Sequence, residues 1–238
     1  MRNYKFWSVF SKFALLLTFA VPVHAAVNVD RTRVIFSEHD VAQSLNLAND
    51  GAMPMVIQVW ADDGDPASSP DVNRTPVVAI PPVFKMLPGE LRSLKLMLAS
   101  RQGLAQDRES VFWLNIYQIA PDTAQSGRQE RKVILPLRLR MKVFIRPAGL
   151  KMPTEEDERK IRFSAAGQTL RVLNPTPWYM SLTLHFADRQ KPTSVMVAPH
   201  GEETLEPPAA ALPGTSLSYD VITDDGNYRR YRATVSAG

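Results

Sequence analysis

The sequence predicts an all-β protein made of two sandwich-sized pieces, and three observations carry that prediction. Short runs of alternating apolar and polar residues recur along the chain after residue 26, separated by turn-forming clusters. Nineteen prolines in 238 residues, about 8% against roughly 5% in average usage, suit many short strands better than long helices. The pattern also resets at Arg146-Pro147, dividing the chain into stretches of roughly 120 and 90 residues, each of ordinary domain size.

The first segment stands apart. Residues 1–25 hold Arg2, Lys5 and Lys12 and no acid, then an apolar run from Phe13 to Val23 and a small-residue exit at Ala25-Ala26. A positive start, a short apolar middle and such an exit describe a cleaved secretory signal peptide, and the run is short for a membrane span. No membrane insertion is expected of the rest. Taking these three basic residues from the chain's 28 leaves 25 against 24 acids, a net charge of +1. The basic balance therefore gives no ground for a nucleic-acid partner. The exported chain has no cysteine, so its stability must come from core packing rather than disulfides.

After the leader, Val27 to Phe36 reads as one alternating strand, followed by Val41 to Leu47 and the strongly apolar Met55 to Trp60. Asp62-Asp63-Gly64-Asp65 ends the last of these as a plain turn; it lacks the downstream acid of a calcium loop. Strands are further expected at Val77–Ile80, around Val83-Phe84, at Leu91–Leu98, at Phe112–Ile119 and over the long run Val133–Ile145. A helical turn is allowed only within Ala99–Ser110. Beyond Pro147, Pro153 to Lys160 reads as a charged, solvated loop. A second series follows at Ile161–Phe163, Thr169–Leu173, Tyr179–Phe186, Ser194–Val197, Ser216–Thr223 and Arg230–Val235.

Chemistry-bearing patterns are sparse. Without cysteine there is no thiolate catalysis, cysteine-ligated zinc or iron–sulfur cluster. His39, His185 and His200 lie in separate segments without metal-site spacing, and no nucleophile elbow, phosphate loop or dinucleotide fingerprint is present. A hydrolase built on one of these histidines and a nearby acid is therefore a weak alternative. A secreted sandwich module gripping carbohydrate or a cell-surface partner through Trp60, Trp113 or Trp178 is another, although each tryptophan borders an apolar run.

The most informative stretch runs from Lys132 to Ile145. On a strand, one face would carry Val133, Leu135, Leu137, Leu139 and Met141; the other Ile134, Pro136, Arg138, Arg140 and Lys142. An amphipathic strand covering its own core explains the first face. Pro136, which cannot donate to a ladder, argues instead for an edge strand, where a long apolar row is a hazard unless something docks on it. Both readings stay open on these residues. Such an edge also invites self-association.

At this strand the chain resembles the PapD-like periplasmic pilus chaperones, over about residues 26–238. The matching segments are Val29 to Phe36 with its Asp30-Arg31-Thr32-Arg33, Pro54 to Trp60, Pro81 to Gly89, Gln106 to Asn115, Lys142 to Pro147 and Asn174 to Tyr179. The resemblance implies two immunoglobulin-like β-sandwiches set at an angle around a cleft, residues 26–147 and 148–238. It implies a periplasmic, non-enzymatic chaperone, without cofactor or metal, that binds pilus subunits one to one and delivers them to an outer-membrane usher. Residues 133–139 map to the strand lent to the subunit, with Val133, Leu135, Leu137 and Leu139 filling its groove. Arg33 and Lys142 map to the cations that hold the subunit's C-terminal carboxylate. Glu109, Arg146 and Asp224, or its neighbour Asp225, map to an interdomain salt bridge. The short connection from Pro121 to Arg131 resembles the short-loop branch. Pro136 within the donor strand removes a ladder donor, and Arg138 and Arg140 suggest an acidic rim on the client.

Overall fold

The computed structural model describes residues 27–72, 75–120, 136–186, 191–206 and 212–238. Two pairs of β-sheets follow one another along the chain. In the first pair, β1 (Val27–Val29), β3 (Ala42–Asn49), β7 (Leu91–Leu98) and β5 (Val77–Ile80) form one sheet in that order. The facing sheet runs β2 (Arg33–Phe36), β9 (Leu137–Ile145), β8 (Ser110–Ile119), β4 (Met55–Asp62) and β6 (Val83–Met86). The period-2 alternation sets which side chains enter the core: Leu45, Leu47, Leu94 and Leu96 from one sheet meet Ile57, Leu114, Ile116 and Val143 from the other, all fully buried.

The run expected as one strand over Val27–Phe36 is two. The Asp30 carboxylate accepts hydrogen bonds from the Asn46 backbone N–H and side-chain amide, ending the antiparallel β1–β3 ladder. The chain then crosses to the other sheet, where β2 pairs parallel with β9, Arg33 opposite Lys142 through Phe36 opposite Ile145. Side-chain competition at one aspartate thus breaks an alternation that looks continuous.

The second pair comprises β14 (Gly201–Leu205), β11 (Thr169–Asn174), β10 (Arg162–Ala166) and β17 (Ser236–Ala237) against β13 (Thr193–Val197), β12 (Met180–His185), β15 (Ser216–Ile222) and β16 (Tyr228–Thr234). Phe163, Leu170, Val172, Leu182, Leu184 and Tyr219 fill the space between them. Strand β14 escaped the pattern reading because Glu202 and Glu203 put charge on an exposed edge, a protection typical of such strands.

Two local expectations are corrected. Ala99–Ser110 contains turns and no helix. Pro153–Lys160, expected to be a solvated loop, contains the helical turn α1 (Glu155–Glu158). A capping box makes it: Asp157 N–H donates to Thr154 Oγ1, and the Asp157 carboxylate accepts from Thr154 N–H. Its last residue, Glu158, is buried, accepting from the Tyr231 hydroxyl at 2.5 Å and from Arg229 at 3.1 Å. Partners more than 70 residues away turn a nominally solvated acid into a core anchor.

Candidate functional site

Where the two sheet pairs meet, β2 and β9 place two cations side by side. Arg33 lies directly opposite Lys142 in the parallel register, and alternation points both toward the second domain. Arg33 is 7% exposed and donates to the Ile222 carbonyl of β15 at 2.9 Å; its Nε is buried and has no partner. Lys142 Nζ donates to Ser181 Oγ of β12 at 3.0 Å. No carboxylate forms an ion pair with either among the described residues. Burial, reinforced by the neighbouring Arg33, pushes the Lys142 ammonium down to about 8. Burial likewise lowers Arg33, opposed by Asp224, Glu109 and Asp225. Two partly desolvated like charges held together, with a donor to spare, are an anion site by their chemistry. Asp30, Arg31, Ile35, Gln43, Asp224 and Asp225 border the opening around Arg33.

Behind the cations lies a buried ion network. The Arg146 guanidinium, 4% exposed, donates from Nε to Glu109 at 2.9 Å and grips Asp224 with both terminal nitrogens at 2.7 and 2.8 Å. The other Glu109 oxygen accepts the Tyr179 backbone N–H at 2.9 Å, tying β8 to the entrance of β12. Burial pushes Glu109 up to about 7, against the pull of Arg146 and the Tyr179 N–H. Of the two acids that the sequence left open, Asp224 takes the arginine; Asp225 instead accepts from Thr223 and Asn227. The turn carrying them packs against the β1–β2 corner. A Cβ at Gly226, whose φ is +84°, would lie 2.6 Å from Thr32 Oγ1. Only glycine suits both that approach and that conformation.

The long strand has two different edges. Along its whole length β9 pairs with β8, from Leu137 opposite Gln118 to Ile145 opposite Ser110. On the other side β2 joins it only from Lys142 onward, leaving Leu137–Met141 without a ladder partner among the described residues. Met141, Val143 and Ile145 enter the domain's own core, Leu139 packs partly against it, and Leu137 is 53% exposed. Val133 and Leu135 lie outside the described residues, as do residues 1–25 and the connection 121–131.

The basic face has partners of its own. Arg138 and Arg140, which suggest an acidic rim on the client, both turn back onto their own sheet. Arg140 pairs with Asp62 at 2.5 Å and covers the Trp113 ring at 4.5 Å. Arg138 donates to Asn115 Oδ1 at 2.8 Å and the Pro66 carbonyl at 2.6 Å, and covers Trp60 at 4.9 Å. The Asp62 side chain is fully buried; burial alone would raise it, yet bonds from Asn115, Gly64, Arg140 and Ser68 hold it below the usual carboxylate range.

The tryptophans do not form an exposed platform: Trp60 and Trp113 lie under these cations, and Trp178 is 9% exposed with its indole N–H on the Lys151 carbonyl. The histidines stay apart. His39 is exposed beside Glu38, His185 ends β12 against Asp220 at 2.7 Å, and His200 occupies a turn against the Pro175 carbonyl. Two groups at the cleft were missed by the sequence reading: Ser181, which holds Lys142, and the Ile222 carbonyl, which holds Arg33. Neither residue type signals such a role, because both act through long-range packing.

Comparison with known proteins adds to this geometry. Residues 26–151 match the family model described as pili and flagellar-assembly chaperone, PapD N-terminal domain, and residues 156–233 match pili assembly chaperone PapD, C-terminal domain. The chain is 30% identical over 227 residues to the chaperone protein MrkB of Klebsiella pneumoniae, covering 94% of this chain and 97% of that one. It is 32% identical over 203 residues to the chaperone protein FimC of Escherichia coli strain K12, covering 85% and 81%. Among solved structures, the CupB2 chaperone of Pseudomonas aeruginosa superposes with a TM-score of 0.73 at 27% identity, covering 88% of this chain and all of that one.

Proposed function

The chain belongs to the PapD-like family of pilus-assembly chaperones, and from that premise we propose how its own residues bind a pilus subunit. It is a chaperone of two immunoglobulin-like sandwiches serving pilus assembly. We divide them at 147/148 and place the mature protein in the periplasm, with residues 1–25 as the leader that sends it there. Its work is binding rather than catalysis. The subunit takes the free edge of β9 as a missing strand, and Arg33 and Lys142 hold the subunit's C-terminal carboxylate.

One observation carries this reading: the cation pair stands where the free edge of β9 ends. A guest strand laid beside Leu137–Met141 occupies the line that β2 takes over at Lys142. Running parallel to β9, as β2 does, it brings its C-terminus to Arg33 and Lys142, where the carboxylate gains charge-assisted bonds. Running antiparallel, it would bring an ammonium to two cations. The anchor thus selects direction and register together, and the main-chain ladder needs little sequence preference.

Leu137, with Val133 and Leu135 before it, supplies the apolar side chains that enter the guest's groove. Each gains roughly 1.5–3 kcal/mol if fully buried, less for Leu139, which is already half-covered. Delivery to an outer-membrane usher follows from exchange of this strand for the next subunit's own extension. In a strain that makes the pilus, Leu135→Glu and Leu137→Glu are expected to lower periplasmic subunit levels sharply by immunoblot. Unchanged subunit levels would count against strand donation.

A further inference from the structure

We propose that Arg138 and Arg140, with Asp62 as their shared buried counter-charge, form a latch that keeps the donor edge of β9 flat and in register before any subunit arrives. This proposal deepens the strand-donation reading and rests on it. The edge needs such a device. Among the described residues, the backbone between Leu137 and Met141 pairs with β8 alone and its other side has no ladder partner, and Pro136 supplies no donor where the described strand begins. A strand with one neighbour frays readily.

The side chains of the even-numbered face reach across β8 to hold it. Arg138 sits opposite Tyr117 on β8, yet its guanidinium extends to Asn115, to the Pro66 carbonyl and to Ser68 Oγ in the segment after β4. Arg140 sits opposite Asn115 and reaches Asp62 at the end of β4. Asp62 in turn accepts from Asn115 at 2.6 Å, Gly64 N–H at 2.8 Å and Ser68 at 3.0 Å, so each contact fixes the next. Trp60 and Trp113 lie beneath the two guanidinium groups and fix their planes. Every bond is made within the domain and from the even-numbered face, and Leu137 on the other face stays exposed. The two arginines are therefore positioning residues: they act on the subunit through the strand they hold.

Arg138→Lys and Arg138→Gln separate this role from direct charge recognition. Lysine keeps the charge but loses the planar fork. Hydrogen exchange would be followed at the amides of residues 137–141, and capture would be followed by diluting into chaperone the denatured subunit that co-purifies with the wild-type protein. Both variants are expected to speed exchange at those amides and slow association by about five- to tenfold, leaving dissociation and the denaturation midpoint near wild type. Wild-type capture by Arg138→Lys with loss in Arg138→Gln would overturn the latch in favour of a charge contact with the subunit; unchanged exchange in both would also overturn it. Leu137→Glu, run in parallel, keeps the two levels distinct. If it too captures normally, strand donation fails; if it alone loses capture, only the latch fails.

Discussion

At the scale of single residues, the anchor role proposed for Lys142 conflicts with the stability of the free protein. Its folded pKa is about 8, below the ordinary 10.5, because burial and Arg33 penalise the charged form. The unfolded chain therefore binds more protons between those values, and the cost of the buried charge is fully present below about pH 8 and fades as pH rises toward 10.5. Lys142→Met is expected to stabilise the free chaperone at pH 7 by about 1 kcal/mol, allowing for its partial exposure, a Tm rise of roughly 2–4 °C. The same variant should lose subunit capture, and differential scanning calorimetry beside a capture assay reads both effects. A bound carboxylate favours the protonated lysine, so subunit affinity should fall as pH climbs above about 8, by at most tenfold per pH unit. Isothermal titration from pH 7 to 9.5 checks the slope; a flat profile would remove Lys142 from the anchor.

At the scale of elements, most strands were legible because each alternates over its own length: Leu91–Leu98 is β7 residue for residue, and β4, β8 and β15 end within a few residues of expectation. What was not legible depends on partners distant in sequence. The break at Asp30 follows from its bonds to Asn46, the burial of Glu158 from Tyr231 and Arg229, and the inward turn of Arg138 and Arg140 from a carboxylate on β4. The row Leu137, Leu139, Met141 shows why the residues alone left two readings open. Its burial is compatible with both, passing from an exposed leucine through a half-covered one to a core methionine within five residues. Substitutions along it should divide accordingly. Met141→Ala is expected to cost about 2–5 kcal/mol of stability by opening a core cavity, and Leu137→Ala well under 1 kcal/mol. Urea denaturation of the free protein checks this, and equal losses at both positions would contradict the division.

At the scale of the whole molecule, polar contacts join the two sandwiches, among them Arg33 to Ile222, Lys142 to Ser181, Glu109 to Tyr179 and Arg146 to Asp224, and the Phe144 and Tyr179 rings meet across the same junction with centroids 6.0 Å apart. Lys142 and Arg33 are thus oriented by the same residues that join the domains, so the domain arrangement would set the geometry of the proposed anchor. Arg146→Ala leaves Glu109 buried beside Asp224 without its counter-charge and should cost about 3–5 kcal/mol. Gly226→Ala acts more locally, forcing the Asp224 turn away from Thr32. Small-angle scattering is expected to report a broader distribution of domain arrangements in both variants, with each sandwich still folded by circular dichroism. Unchanged scattering would mean that the network does not set the arrangement.

The central claim is that the chain holds a subunit by its carboxylate at the end of a donated strand. Native mass spectrometry of the protein purified from its own periplasm, wild type beside Arg33→Ala/Lys142→Ala, tests it most directly. A one-to-one complex with a small exported subunit in the wild type, absent from the double variant, is the predicted result. A free monomer in both samples while the pilus is being made, or a complex that survives the double substitution, would contradict it.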